Sequence, residues 1–202
     1  MDTYVKGIDI SIYQRAHRDG THLLFDPQEV ARAGYQFAIC RLGHGVTVDV
    51  WGADSVKRLQ AAGLKCSVYW YFAAGQSAMD QANKFLSAMG SLDLDFAPAL
   101  DVEEGDGATA QKALQWLDAV DGALDQAPLV YTMPAFSAAK LASHPEFTNY
   151  DLWQATYTSM PAPMQCEPWA KDVWLVWQFS NAAQVPGIAT PCDVNRAKAG
   201  LW

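Results

Sequence analysis

The 202 residues carry a formal charge of −8, half of them are hydrophobic and 12% are aromatic. This composition excludes a disordered chain, and the acidic balance excludes a nucleic-acid binder, which would cluster Lys and Arg on one face. The opening MDTYVKGIDI has no apolar core of a secretory signal, and no run reaches the ~18 apolar residues of a membrane span, so no membrane insertion is expected.

In chain order, VKGIDI (5–10) predicts a strand that ends in acid. PQEVARAG (27–34) predicts a helix with Asp26 as N-cap and Pro27 in its first turn. FAICRLG (37–43) is a strand. VWGADSVKRLQAAG (50–63) is a helix, with Val56, Leu59 and Ala62 at core spacing and Gly63 closing it. CSVYWYF (66–72) is a strand, SAMDQANKFLSAMG (77–90) a helix capped by Ser77 and Gly90, and FAPALDVE (96–103) a strand. TAQKALQWLDAVDGAL (109–124) is helical. PLVYT (128–132), DLWQATY (151–157), VWLVWQFS (173–180) and CDVN (192–195) complete eight strands. Strands alternating with helices imply an α/β fold with a mostly parallel sheet and helices outside. The loss of helices late in the chain implies an incomplete barrel. No linker or repeat interrupts residues 1–202, which read as one domain.

In parallel barrels, functional side chains stand at the C-terminal strand ends. Asp9, Arg41, Tyr69, Tyr71, Asp101, Glu103, Tyr131, Trp153 and Gln178 fall at or near such ends, and Asp193 lies in the last strand. Asp101 and Glu103 are two apart, so they point to one side, ~6.6 Å along the strand, with Val102 opposite. Repulsion within such a pair keeps one member protonated, as glycoside cleavage requires. Glu104 points away and is assigned no chemistry.

Each of these residues also has a structural reading. Asp9 suits a turn, Asp193 an Asx-turn, Arg41 a counter-charge, and Tyr131, Trp153 and Trp177 suit packing. The eight Trp and eight Tyr serve either a core or a sugar-stacking cleft. The four His lack metal-ligand spacing, and no GxSxG or Walker motif is present. His44 reads as loop structure and Asp49 as a cap for the following helix. Cys40, Cys66, Cys166 and Cys192 are expected as reduced, buried thiols.

GIDIS (7–11), FAICRLG (37–43), SVYWYF (67–72), ALDVEE (99–104), LVYT (129–132), DLWQATY (151–157), VWQFS (176–180) and DVN (193–195) follow one another over the whole chain. In this order the sequence resembles the glycoside hydrolase family 25 lysozymes (Chalaropsis type), phage endolysins included. The resemblance implies a TIM-like barrel of eight strands and fewer than eight helices, of the (β/α)5(β)3 type. It implies hydrolysis of the β-1,4 bond between N-acetylmuramic acid and N-acetylglucosamine in peptidoglycan glycan strands, with net retention and without metal or cofactor. By position, Glu103 takes the role of general acid/base and Asp101 that of stabilising the substrate N-acetyl group. Asp9 and Asp193 become supporting acids. Tyr69, Tyr131 and Trp153 fall where family members place sugar contacts, and Tyr71, Gln178 and Arg41 join the same mouth. The expected site of action is the bacterial cell wall, with a monomer and no separate wall-binding module.

The sequence departs from the family at RAHRDGTHLLFD (15–26), which is longer and more charged than the usual loop, and at Gln154, where an apolar residue is usual. Two other readings stay open. One is a catalytically weak peptidoglycan-binding barrel. The other is a chitinase-like hydrolase, whose DxDxE signature would need an acid where Ala99 stands.

Overall fold

The structure, a computed structural model, describes residues 4–17 and 20–202. Arg18 and Asp19, part of the unusual 15–26 segment, lie outside the described residues. The strands are β1 (Val5–Ile10), β2 (Phe37–His44), β3 (Thr47–Val48), β4 (Lys65–Tyr71), β5 (Ala99–Asp101), β6 (Leu129–Thr132), β7 (Leu152–Ala155), β8 (Val176–Ala183) and β9 (Cys192–Ala197). The helices are α1 (Pro27–Arg32), α2 (Gly52–Ala61), α3 (Ala78–Met89), α4 (Thr109–Leu124) and α5 (Pro134–Lys140).

The sheet runs β1-β9-β8-β7-β6-β5-β4-β2, and β1 pairs with β2 to close it. The eight-stranded barrel and its five helices match the expected (β/α)5(β)3 architecture. β9 is antiparallel to both neighbours, so the barrel is mixed. β3 is a two-residue return hairpin on β2 that the sequence reading did not contain. Nor did it contain α5, a short helix that begins with Pro134.

Local chemistry explains most element ends. The Asp26 carboxylate accepts from Gln28 N at 3.0 Å and Glu29 N at 3.2 Å, with Pro27 in the first turn of α1. Ser77 caps α3 through Asp80 N. The predicted strand 96–103 is shortened to Ala99–Asp101. Pro98 has no N–H to contribute to a ladder, and the chain leaves the sheet after Asp101. Glu103 therefore sits in the loop just past the strand, not on it.

Alternation along the strands separates two cores. Outward residues such as Ile8, Val68, Trp70, Leu100 and Trp177 pack under the helices. Inward residues Phe37, Ile39, Ala99, Leu129, Trp153 and Val176 fill the barrel. Trp177, left as packing, does pack there, its ring against Trp174 and Phe179. The inner core is apolar at the N-terminal end of the parallel strands, where Phe37 meets Phe96 and Trp202. Gly7 makes room for that layer: a Cβ there would lie 2.4 Å from the Phe37 ring. Towards the other end, the same inward positions turn polar. All four cysteines are free and buried.

Candidate active site

The polar end of the barrel opens into a cleft of about 500 Å³. Its floor comes from every second residue of the strands: Asp9 on β1, Arg41 on β2, Tyr69 and Tyr71 on β4, Asp101 on β5, Tyr131 on β6, Trp153 on β7 and Gln178 on β8. Glu103 enters from the loop after β5. Asp193 arrives by a route the parallel-strand rule does not supply. β9 runs antiparallel, so its N-terminal end reaches this mouth, where Asp193 stands opposite Asp9 in register. The structure thus gathers every site residue named from the sequence in one cleft. Ser11, Tyr13, Gln14 and His44 also line it.

Asp9 is the hub of a buried hydrogen-bond network. Its Oδ2 accepts from Gln178 Nε2 and from Asn195 Nδ2, both at 2.8 Å. Asn195 Oδ1 accepts from Trp153 Nε1 at 2.8 Å. Gln178 Oε1 accepts from Tyr131 Oη at 3.0 Å and from Tyr157 Oη at 2.6 Å. Two phenols need Oε1, which leaves Nε2 to face Asp9 and fixes the amide's orientation. Asn195 and Tyr157 were missed because neither is an acid at a parallel strand's end. Asn195 belongs to the quoted DVN and Tyr157 closes DLWQATY, so the signal was in hand without a role.

Burial and mutual repulsion hold the cleft's acids above the ordinary carboxylate range. Asp9 is raised well above it, by burial first and by Asp193 next. Asp101 is raised well above it by burial, then by Glu103 and Asp9. Glu103 is raised by burial, then by Glu104 and Asp193. Asp193 is raised mainly by burial. Asp101 and Glu103 repel one another, and Glu104 and Asp193 add to the repulsion on Glu103. Glu104, to which the sequence assigns no chemistry, is the charged neighbour that raises Glu103 most.

Among the described residues, Asp101 Oδ1 is a buried oxygen with no hydrogen-bond partner. Among the described residues, Arg41 is the only Lys or Arg that lines the cleft, and its Nε is bound to Asp49 Oδ2 at 2.6 Å. That pair corrects the reading of Asp49 as a helix cap. Helix α2 starts behind Trp51 with no side-chain cap, and Asp49 turns inward to the guanidinium. A carboxylate beside a half-buried Arg gains more from that charge than from one helix N–H.

The family model for glycosyl hydrolases family 25 matches residues 8–188. The chain belongs to glycosyl hydrolases family 25. YegX of Escherichia coli K12 is 30% identical over 202 residues, which cover 95% of this chain and 68% of YegX. The bacterial lysozyme from Streptomyces coelicolor has a similar fold, with a TM-score of 0.83 at 19% identity over 96% of this chain and 92% of that one. The family 25 lysozyme from Aspergillus fumigatus gives 0.79 at 20% identity over 98% and 96%.

Family 25 membership makes the protein a glycoside hydrolase, and the cleft suits that chemistry. An acid whose pKa is raised by burial and repulsion, as Glu103's is, suits donation to a leaving oxygen. A buried, unpartnered carboxylate oxygen can accept from a substrate N–H. The rings of Tyr69, Tyr131 and Trp153 pack edge to face, with centroids 5.8 Å and 4.7 Å apart, and form a stiff aromatic base under the acids. Among the described residues no cluster could hold a metal ion.

Proposed function

We propose that this family 25 glycoside hydrolase is an N-acetylmuramidase, acting on peptidoglycan glycan strands at the bacterial cell wall as a single catalytic barrel. The observation that carries the reading is the pairing of two unlike carboxyls at the end of β5, one on the strand and one in the loop just past it. Glu103 is half-buried and biased towards its acid form, and Asp101 presents a buried oxygen without a partner.

In the proposed cycle, Glu103 gives its proton to the glycosidic oxygen between the two amino sugars. The acetamido oxygen of the muramic acid attacks its own anomeric carbon as the leaving sugar departs. Asp101 Oδ1 accepts from the acetamido N–H and stabilises the cyclic cation. Glu103, now a carboxylate, takes a proton from water as that water opens the ring. Two inversions at one carbon leave net retention. Asp101 is suited to this step because the site that disfavours a bare carboxylate strengthens its attraction to a cation formed beside it. Asp9, through Gln178 and Asn195, positions Tyr131 and Trp153 around the sugar.

The test is digestion of purified peptidoglycan, borohydride reduction and mass spectrometry, with Glu103→Gln in parallel. Reduced muramic acid ends from the parent protein and none from the variant are expected. Reduced glucosamine ends, or no new ends from the parent, overturn the proposal.

A further inference from the structure

Beyond Tyr131, on the β6–β7 side of the barrel mouth, lies a separate pocket of about 510 Å³. One wall is Met133, Pro134 and Ala138, from α5 and its N-cap, with Thr156 just past β7. The other is Met164 and Glu167, from the loop 158–170. Met133 is extended, with φ −118° and ψ 151°, so it stands on the same side as Tyr131 of the cleft and ~6.6 Å further out. On the other flank, Thr156 lines the pocket while the next residue, Tyr157, places its hydroxyl on Gln178 Oε1 in the cleft. Pocket and cleft therefore adjoin along Tyr131 and Tyr157.

The loop that forms the outer wall is anchored. Gln154, where the family usually has an apolar residue, is buried, and its Nε2 donates to Thr156 Oγ1 at 2.9 Å and to the Met164 carbonyl at 2.5 Å. The Ser137 hydroxyl of α5 donates to the Glu167 carbonyl, and Trp169 Nε1 donates to the Tyr150 carbonyl at 2.9 Å. The departure from the family pattern at Gln154 thus fastens the segment that gives the pocket its outer wall.

We propose that this pocket takes the peptide stem carried on the lactyl group of the muramic acid bound at the acids. The inference rests on the muramidase reading and adds a peptide to its substrate. Two features select this occupant. The pocket adjoins the cleft, and a stem starts from the sugar whose bond is cut, so it has to leave the cleft over one of its rims. The lining also matches. Methionine and alanine side chains suit the alanyl methyls of a stem. Among the described residues the one ionisable group of the lining is Glu167, which suits the free amine of the stem's diamino acid. Met164 and Glu167 are both exposed, so a peptide reaches them without displacing the core.

Contacts remote from the reacting bond raise kcat/KM when the substrate carries the group that makes them. The experiment uses tetrasaccharides of alternating N-acetylglucosamine and N-acetylmuramic acid, equal in length. One carries stems, one carries stems whose diamino-acid amine is acetylated, and one has its lactyl carboxyls capped as methylamides. The parent protein should cleave the first with kcat/KM about tenfold above the third, equivalent to ~1.4 kcal/mol. Acetylation of the amine should cost about threefold, as for an exposed ion pair, and Glu167→Gln should remove that difference. Ala138→Trp and Met164→Trp fill the pocket from exposed positions on opposite walls, and the Gln154 bond to Met164 goes to its backbone. Each should abolish the stem gain and leave cleavage of the capped substrate within about twofold. A parent indifferent to the stem, or a gain that survives both tryptophan variants, overturns the inference while leaving the muramidase reading intact. Acetylation without effect on the parent, or an effect that persists in Glu167→Gln, also overturns it. Cleavage of none of the three substrates by the parent removes the muramidase reading and this extension with it.

Discussion

Gln178→Leu tests whether the Asp9 network supports the fold as well as the cleft. Leucine keeps most of the volume and removes every polar atom. Three hydrogen bonds disappear: those from Tyr131 and Tyr157 to Oε1, and that from Nε2 to Asp9. At ~1 kcal/mol each, with a further ~1–2 kcal/mol for leaving the buried Tyr131 hydroxyl unpaired, the loss is roughly 3–5 kcal/mol. Tyr157 is half exposed, so water can replace its bond, which favours the lower figure. For a chain of this size the fall in Tm is roughly 6–20 °C. The deficit should also depend on pH. Asp9 is already raised by burial, then by Asp193, and the Gln178 N–H opposes that rise. Without it, the folded-state pKa climbs further. A carboxyl raised on folding gives stability that is complete below its unfolded pKa and is lost as pH rises through the folded value. The variant's deficit should therefore be constant through the ordinary carboxylate range and grow as pH rises past the parent's folded-state Asp9 pKa, which lies well above that range. Differential scanning calorimetry from that range to above it measures both effects. A Tm change below about 2 °C, too small for three buried bonds, or a deficit independent of pH, would refute the network as described.

Two further perturbations bear on the charges. Glu104→Gln removes the second cause, after burial, of the raised Glu103 pKa. A general acid loses activity as pH rises through its pKa, so the basic limb of the kcat/KM profile should move to lower pH. An unmoved limb in a pH–rate profile would sink this account of Glu104. Arg41→Met leaves the Asp49 carboxylate buried without its guanidinium and should destabilise the protein by roughly 3–5 kcal/mol. Arg41→Met with Asp49→Leu should recover most of that loss in a denaturant titration, and equal losses in the single and double variants would contradict the pairing.

The legible parts of the sequence were those governed by local periodicity. VKGIDI and the α4 run carry strong alternation or helical spacing, and both appear with the expected bounds, as Val5–Ile10 and Thr109–Leu124. The hairpin strand Thr47–Val48 has only two residues, and no period can be read from two positions. The overextension of β5 came from treating an apolar run as a strand, although pairing depends on what its neighbours offer. The cleft was legible because barrel strands deliver alternate residues to one end, so that Asp9, Arg41, Tyr69 and Asp101 meet without any being adjacent in sequence. The Arg41–Asp49 pair was not, since it depends on how the β2–β3 return folds back.

Asp193 shows where a correct placement had an incomplete reason. In a wholly parallel barrel, the second residue of a strand lies at the closed end, far from the other acids. Only the reversal of β9 brings it opposite Asp9. That reversal also places Asn195, two residues on and on the same side, where its amide joins Asp9 to the Trp153 indole. One antiparallel strand thus supplies both the charge that raises Asp9 and a donor that opposes the rise. Burial and Asp193 dominate the balance, so the acid end of the barrel resists carrying a full set of negative charges. Among the described residues, its only lining Lys or Arg is already neutralised by Asp49. A cleft in that condition gains most when positive charge appears inside it, and the cyclic cation of the proposed cycle is such a charge.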